Sequence, residues 1–416
     1  MMKTKLFLLT LLLACCLCAA ACAGEPVECG DFYYELLEDG TAEIIQYAGE
    51  EKHLTLPTEL DGHPVSTLGW TAFLYNTRVE KLTIPDCIVA VDPAAFEECT
   101  GIREFAVSGA HPTLSVKDGV LFDKSGTLLF AYPPGRTDRI YTVPEGTLTI
   151  GEEAFAYAQH LTEIRIPYTV TVIEGSAFSH CPALTEIVLP ESVTAIGHCA
   201  FLGCTALEEI TIPAGVQEMG DALFEACTSL RRVQLLNRPA TLPPFTFYGC
   251  IALTDYEIPD SVSLIGRNAF AKCSVLTELT VPESVVAIDN MTFTLCTGLT
   301  KVTLSSRLIY LGNSAFSDCT ALTDVVLPEH LYRVEAGTFA GCTSLKQITI
   351  PSQIFEIGRF AFIGCDALER VTMPGFPTIH QEAFYACPQV VLEVIKAMTW
   401  QAEELGLPYV VIDDPY

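Results

Sequence analysis

The stretch LTEIVLPESVTAIGHCAFLGC, residues 184–204, decides the fold of this chain. Leu184, Ile187 and Leu189 are predicted to point inward, and this every-other-residue spacing at Ile187 and Leu189 is typical of a short strand with one buried face. Pro190 then ends the strand, because proline cannot donate a ladder hydrogen bond. The unit therefore begins with a strand that needs a partner layer to cover its apolar side.

The rest of the unit predicts a turn back towards the start. Residues 193–196 can form a second short extended piece, and Gly197 permits a tight turn. We expect Ala200 and Phe201 to begin a single helical turn that carries the phenylalanine ring into the core. One such unit has too little apolar surface to fold alone, so neighbouring units must stack on it.

The unit recurs along most of the chain with a step of 23 residues between phenylalanines from Phe155 to Phe362. The phenylalanine column comprises Phe73, Phe96, Phe155, Phe178, Phe201, Phe224, Phe247, Phe270, Phe293, Phe316, Phe339, Phe362 and Phe384. A cysteine column follows it by three residues: Cys99, Cys181, Cys204, Cys227, Cys250, Cys273, Cys296, Cys319, Cys342, Cys365 and Cys387. Coils stacked at about 4.8 Å each would form a rod roughly 60 Å long.

The pattern LxxIxIPxxVxxIGxxAFxxC resembles the BspA-like leucine-rich-repeat family of bacterial surface proteins over residues 54–388. The resemblance implies a right-handed, β-rich repeat solenoid with 23-residue coils, short strands and short helical turns. It also implies a role in adhesion or host interaction, with a partner that the pattern does not identify.

The first residues predict export. Lys3 and Lys5 precede an apolar run and three alanines, which is typical of a signal peptide over residues 1–21. Cys22 directly follows the alanines, as in a bacterial lipoprotein signal whose cysteine becomes acylated. Cys15 fits the same pattern, and an ordinary signal peptide cut before Cys22 is the alternative.

Segments outside the regular period predict two caps and one insertion. We expect a tether and capping hairpin over residues 22–53, and a C-terminal cap over 389–416 with a helix at 390–405 and a strand at 409–412. The solenoid at 54–388 is interrupted at about 106–142. There residues 118–130 predict a strand, a turn and a second strand, and this hairpin could project from the rod. Its Asp and Gly residues favour turns over a calcium loop, because the ligand spacing of a calcium loop is absent.

Composition excludes several classes of function. The chain has 51 acidic and 23 basic residues among 416 and a net charge of −28, which disfavours nucleic-acid binding and favours a soluble monomer. The eight histidines have no metal-ligand spacing, and no catalytic or nucleotide-binding motif is present. We therefore predict a protein that is not an enzyme and needs no cofactor.

Eighteen cysteines in an exported protein would ordinarily suggest disulfides. Eleven of them, however, share one repeat column, where a small apolar side chain is required in every coil. The column favours buried structural thiols over disulfides between coils or a metal site. Cys29, Cys87 and Cys199 lie outside the column and are expected to be more exposed.

The outward side chains of the leucine-rich strands are the predicted binding surface. In each strand, two residues between the inward positions face solvent and form two parallel stripes along one sheet. The alternative is that threonine merely suits strands and the charges maintain solubility. The candidate residues are Glu163, Arg165, Glu186, Val188, Glu209, Thr211, Arg232, Gln234, Asp255, Glu257, Glu278, Thr280, Lys301, Thr303, Asp324, Val326, Gln347, Thr349, Arg370 and Thr372.

These features predict a lipid-anchored or secreted protein outside the cell. We expect it to bind a host or neighbouring-cell surface protein through the stripes, with the inserted hairpin as a second candidate surface whose role the sequence leaves open. A glycan-binding module and a passive envelope spacer are the alternatives. The stripes contain few aromatic residues, which argues against sugar binding there.

Overall fold

A computed structural model describes residues 25–413, which form a β-solenoid of stacked coils. Each regular coil contributes one strand to a first face and a two-residue strand to a second face. The first-face strands are His53–Thr55, Lys81–Ile84, Glu104–Val107, Ile140–Thr142, Glu163–Arg165, Glu186–Val188, Glu209–Ile212, Arg232–Leu235, Glu278–Thr280, Lys301–Thr303, Asp324–Val325, Gln347–Thr349, Arg370–Met373, Val391–Ile395 and Tyr409–Ile412. The second-face strands are His63–Leu68, Ala90–Val91, Thr149–Ile150, Val172–Ile173, Ala195–Ile196, Glu218–Met219, Thr241–Leu242, Leu264–Ile265, Ala287–Ile288, Tyr310–Leu311, Arg333–Val334, Glu356–Ile357 and Thr378–Ile379.

Successive coils pair in parallel with a register of one repeat. On the first face Ile164 lies opposite Ile187, and on the second face Ile173 lies opposite Ile196. Because the register equals the sequence period, each position of the repeat forms a straight column along the solenoid. The predicted repeat solenoid is confirmed.

The segment around each column phenylalanine differs from the expected helical turn. Within residues 25–413, only the 3-10 helix Pro93–Phe96 is helical there, and the other coils have hydrogen-bonded turns. The reason lies in the residues two positions before and after the phenylalanine. Around Phe178, Ser176 and His180 both have a φ of 52°, and such left-handed residues interrupt a right-handed helix.

The two ends are closed by different structures. At the N-terminus, Val27–Cys29, Phe32–Leu36 and Ala42–Tyr47 form an antiparallel meander, as the predicted capping hairpin requires. A two-residue strand, Glu59–Leu60, pairs with His63–Leu68.

At the C-terminus the predicted helix is too long. Val391–Ile395 is a strand that pairs with Arg370–Met373, and only the 3-10 helix Lys396–Met398 and the α-helix Thr399–Leu405 follow it. Pairing with the previous coil accounts for this, since the strand ladder extends over four residues. The last strand, Tyr409–Ile412, is present as expected.

The insertion lies within the stack and does not project from it. Leu114–Lys117, Val120–Asp123 and Leu128–Ala131 form an antiparallel sheet whose last strand pairs in parallel with Thr149–Ile150. Val120 and Phe122 are fully buried. The insertion therefore completes a coil, because its apolar residues cover the same core as the regular strands.

Tyr132 shows how that coil is completed. It lies 23 residues before Phe155, and the two rings stack with centroids 5.3 Å apart. Its backbone N–H donates to the carbonyl of Ala154, as Phe155 donates to Ala177 in the next coil. Tyr132 therefore takes the place of the missing phenylalanine in this column.

The core consists of the columns. From Phe155 to Phe384 the rings of successive coils lie 5.1–5.8 Å apart, and every one is buried. The predicted core residues Phe178, Phe201, Phe224, Phe270, Phe316, Phe339 and Phe362 are fully buried, and so are Cys181, Cys204, Cys227, Cys273, Cys319, Cys342 and Cys365. No helix within residues 25–413 has the length and apolar composition needed to cross a bilayer.

Candidate functional site

The predicted stripes lie on the solvent side of the first face. Alternation along each strand points one residue inward between two outward ones, as in Glu278–Thr280, where Leu279 is buried and its neighbours are exposed. All twenty candidate residues are exposed except Glu163 and Thr372, which are half-buried. The parallel register brings together residues that are 23 positions apart in the sequence.

The two stripes differ in chemistry. The charged column contains Glu163, Glu186, Glu209, Arg232, Asp255, Glu278, Lys301, Asp324, Gln347 and Arg370. The threonine column contains Arg165, Val188, Thr211, Gln234, Glu257, Thr280, Thr303, Val326, Thr349 and Thr372. A partner lying across the first face would meet one row of mixed but mainly acidic charge beside one row that is mostly neutral.

Ion pairs hold part of the charged column in place. Arg232 Nη1 lies 2.6 Å from Glu209 Oε2 of the preceding coil, and Arg370 Nε lies 3.2 Å from Glu393 Oε1. Within one strand, Arg165 Nε lies 2.6 Å from Glu163 Oε1. Exposed pairs of this kind contribute about 0–1 kcal/mol, so they order the surface without stabilising the fold greatly.

Asp255 and Glu257 do not lie on a strand as predicted. The structure has no first-face strand between Arg232–Leu235 and Glu278–Thr280, although both carboxylates are exposed. Tyr256 occupies the inward position that isoleucine holds in the consensus unit, and its ring packs 4.8 Å from Phe247 and 5.5 Å from Phe270. We attribute the interruption to this larger ring, whose buried hydroxyl has no hydrogen-bond partner within residues 25–413.

The column cysteines are buried structural thiols. All fourteen cysteines of residues 25–413 are free, and each column thiol from Cys181 onward donates to the carbonyl oxygen of the phenylalanine in the preceding coil. The Cys204–Phe178 distance, for example, is 3.1 Å. Burial raises the pKa of Cys296 and Cys342 to about 12, which keeps both thiols protonated and unreactive.

The remaining cysteines have different environments. Cys29, Cys87 and Cys199 are half-buried, which is more exposed than the column members. The candidate lipidation residues Cys22 and Cys15 lie outside the described residues. No group of three or more metal-ligating side chains lies together within residues 25–413.

A titratable cluster beside the insertion has no counterpart in our sequence analysis. The Tyr157 hydroxyl donates to Glu97 Oε1 at 3.2 Å across the Tyr132 coil, and its ring lies 4.9 Å from that of His180. Burial, together with the charges of Glu97, Glu152 and Asp92, raises the pKa of Glu153 to about 7. Little in the sequence indicated this cluster, because its residues come from separate coils and the irregular insertion between them hides their proximity.

The second face carries an exposed apolar row that the sequence analysis also missed. Ile309, Tyr332 and Phe355 occupy one repeat position in three successive coils, and each is more than half exposed. Their 23-residue spacing is visible in the sequence. The second-face strands of these coils are only two residues long, however, so alternation could not show which side chains point outward.

Comparisons with known proteins agree with the repeat. The family model described as BspA type Leucine rich repeat region matches residues 52–122, 148–277 and 265–391 in six copies. A leucine-rich repeat protein from Bacteroides ovatus superposes with a TM-score of 0.56 and 23% identity, over 93% of this chain and 100% of that chain.

The pneumococcal vaccine antigen PcpA superposes with a TM-score of 0.58 and 19% identity, over 94% of this chain and 100% of that chain. Both likenesses demonstrate the fold. Comparison with functionally characterised proteins found no sequence match.

Proposed function

The chain belongs to the BspA-type leucine-rich-repeat family, and on that basis we propose that it is an exported surface protein that binds a partner protein through its first face. Family membership suggests a protein-interaction or adhesion role. The observation that carries the proposal is the largely exposed pair of columns, charged and threonine, whose members recur every 23 residues from Glu163 to Thr372 and lie in register wherever first-face strands pair. A binder needs side chains that vary from coil to coil on a rigid support, and these columns provide them.

The charge of the first face indicates what kind of partner would fit. Six members of the charged column are acidic and three are basic, and two of those bases are held in ion pairs. The residual potential is therefore negative. We propose a partner whose contact surface is basic and polar, because opposite potentials steer association and exclude wrong partners.

Binding can be tested with the chain that begins at residue 22, probed against an array of purified secreted and surface-exposed proteins. The variant carries Glu278→Lys and Thr280→Lys on the first face. Its matched control carries Glu218→Lys and Gln217→Lys on the second face, with the same change in charge. We expect the array partner to bind wild type and control but not the first-face variant. Equal binding by all three proteins would contradict the proposal.

We further propose that a lipid on Cys22 tethers the protein outside the cell, with Cys15 as the alternative site. The support is the signal-like sequence of residues 1–21 and the cysteine directly after three alanines. Metabolic palmitate labelling of wild type and Cys22→Ala, followed by protease treatment of intact cells, tests it. Label lost with Cys22→Ala and wild type cleaved on intact cells are expected. Unlabelled protein in the medium would contradict the tether.

A further inference from the structure

The second face holds a narrow apolar row whose exposure folding does not explain. Ile309, Tyr332 and Phe355 are 51%, 56% and 53% exposed, and Phe376 in the following coil is 59% exposed. Large apolar side chains clustered at a surface usually mark a binding site. The row runs along the solenoid axis, since the backbone N–H of Phe355 donates to the carbonyl of Tyr332 in the coil before it.

The same repeat position is small or polar in five earlier consecutive coils. Its occupants there are Thr171, Thr194, Gln217, Ala240 and Ser263. Those coils fold with the same register, so the position needs no large apolar side chain for packing. Val89, Leu148 and Val286 are also apolar at this position, and Val89 and Leu148 are 47% and 46% exposed. In the register from Val89 to Phe355, however, only Tyr332 and Phe355 place aromatic rings there, directly after Ile309.

Hydrogen-bonding side chains border the row on both sides. Two positions earlier in the three coils are the exposed residues Arg307, His330 and Gln353. One position later are the exposed residues Tyr310 and Arg333 and the half-buried Glu356. The Arg333 guanidinium lies 5.7 Å from the centroid of the Phe355 ring, and its Nη2 lies 2.7 Å from Glu356 Oε2. The ion pair fixes this border and supplies both donors and acceptors next to the apolar surface.

The shape of the row favours a narrow ligand. It is one side chain wide, whereas a stable protein interface buries about 800 Å² on each partner around a desolvated centre. A sugar chain is also one ring wide. Its C–H faces pack on aromatic and aliphatic side chains, and its hydroxyls both donate and accept hydrogen bonds.

The charge of the row favours an uncharged ligand. Arg333 is paired with Glu356, and Arg307 faces a chain whose net charge is −28, so an anionic polysaccharide would be repelled overall. We propose that Ile309, Tyr332 and Phe355 form a binding site for a neutral glycan chain lying along the solenoid axis. This site is separate from the first face and goes beyond the protein-binding function.

Affinity electrophoresis through gels that contain a soluble neutral polysaccharide tests the site. The probes are a β-1,4-glucan, a β-1,3-glucan, a mannan and glycol chitin, each with wild type, Tyr332→Ala, Phe355→Ala and Tyr168→Ala. Tyr168 is the control, since it is 75% exposed and belongs to a different coil and turn. Thermal unfolding of all four proteins shows whether the substitutions leave the fold intact.

We expect retardation by at least one polysaccharide, with the dissociation constant raised at least tenfold in Tyr332→Ala and Phe355→Ala and unchanged in Tyr168→Ala. The Glu278→Lys/Thr280→Lys variant should keep wild-type retardation, which separates this site from the first face. Absence of retardation by all four polysaccharides would overturn the proposal. Retardation of Tyr332→Ala equal to that of wild type would also overturn it. A third contradicting result would be an array protein that binds wild type but not Tyr332→Ala while no polysaccharide binds, because the row would then be a protein-binding site.

Discussion

The inward and outward columns of the solenoid share one register but have opposite composition. Inside, the same residue type returns in coil after coil, as at Phe178, Phe201 and Phe224. Outside, Glu209 and Arg232 are neighbours in the charged column yet carry opposite charges. Packing against identical coils above and below allows only one solution in the core, whereas solvent accepts many side chains. The difference teaches that the repeat encodes the fold and leaves its outward positions free to vary, as the proposed binding of a partner requires.

The largest expected effect comes from breaking an inward column. Phe270→Ala removes a fully buried ring that stacks on Phe247 and Phe293, and should lower the free energy of unfolding by about 3–5 kcal/mol. Chemical denaturation followed by circular dichroism measures it. A loss below about 1 kcal/mol would mean that the coils do not depend on the column.

A smaller effect, this time an increase in stability, is expected at Tyr256, where an inward position buries an unpaired hydroxyl. Tyr256→Phe keeps the ring between Phe247 and Phe270 and removes a buried hydroxyl that lacks a partner within residues 25–413. The free energy of unfolding should rise by about 1–3 kcal/mol. Tyr310→Phe is the control, because the Tyr310 hydroxyl donates to Asn290 and its loss should not stabilise. Equal effects in the two variants would show that the buried hydroxyl costs nothing.

The cluster beside the insertion should make stability depend on pH. The pKa of Glu153 is raised from 4.5 to about 7, so the folded state holds this proton more tightly than the unfolded state. Its stabilising contribution is complete below about pH 4.5 and is lost as pH rises through about 7. Relative to Glu153→Gln, the melting temperature of wild type should fall between these pH values. If the melting temperatures of wild type and Glu153→Gln changed with pH in the same way across this range, the raised pKa of the Glu153 carboxyl would be contradicted.

The smallest stability effect is expected in the outward column. Arg232→Ala removes an exposed ion pair with Glu209 and should change the free energy of unfolding by less than about 1 kcal/mol. The same denaturation experiment measures it. A loss as large as that of Phe270→Ala would remove the distinction between the inward and outward columns.

The features that could be predicted from the sequence are those that recur with the 23-residue period. The coils, the buried columns and the outward direction of Glu278 and Thr280 all follow from a register that the strand ladder enforces. The helix expected at 390–405 was partly wrong, because the apolar run Val391–Ile395 suits a strand once a neighbouring strand is available. Local sequence cannot reveal that neighbour.

Other features depended on contacts that the period does not encode. The left-handed residues beside each phenylalanine are glycine in only some coils, such as Gly203 and Gly249. Because no constant glycine marks these positions, the sequence did not reveal that they need a positive φ. The interruption at Tyr256 arises from ring size in one coil. The apolar row of Ile309, Tyr332 and Phe355 became evident only when the structure showed which second-face side chains are exposed.

Three adjacent residues of one strand offer the most direct test of the division between fold and recognition. Unfolding free energy and binding to the array partner would be measured for Leu279→Ala and for Glu278→Lys/Thr280→Lys. The account predicts that Leu279→Ala loses about 2–5 kcal/mol of stability, while the double variant keeps its stability and loses binding. A double variant that unfolds as readily as Leu279→Ala, or that binds like wild type, would contradict it.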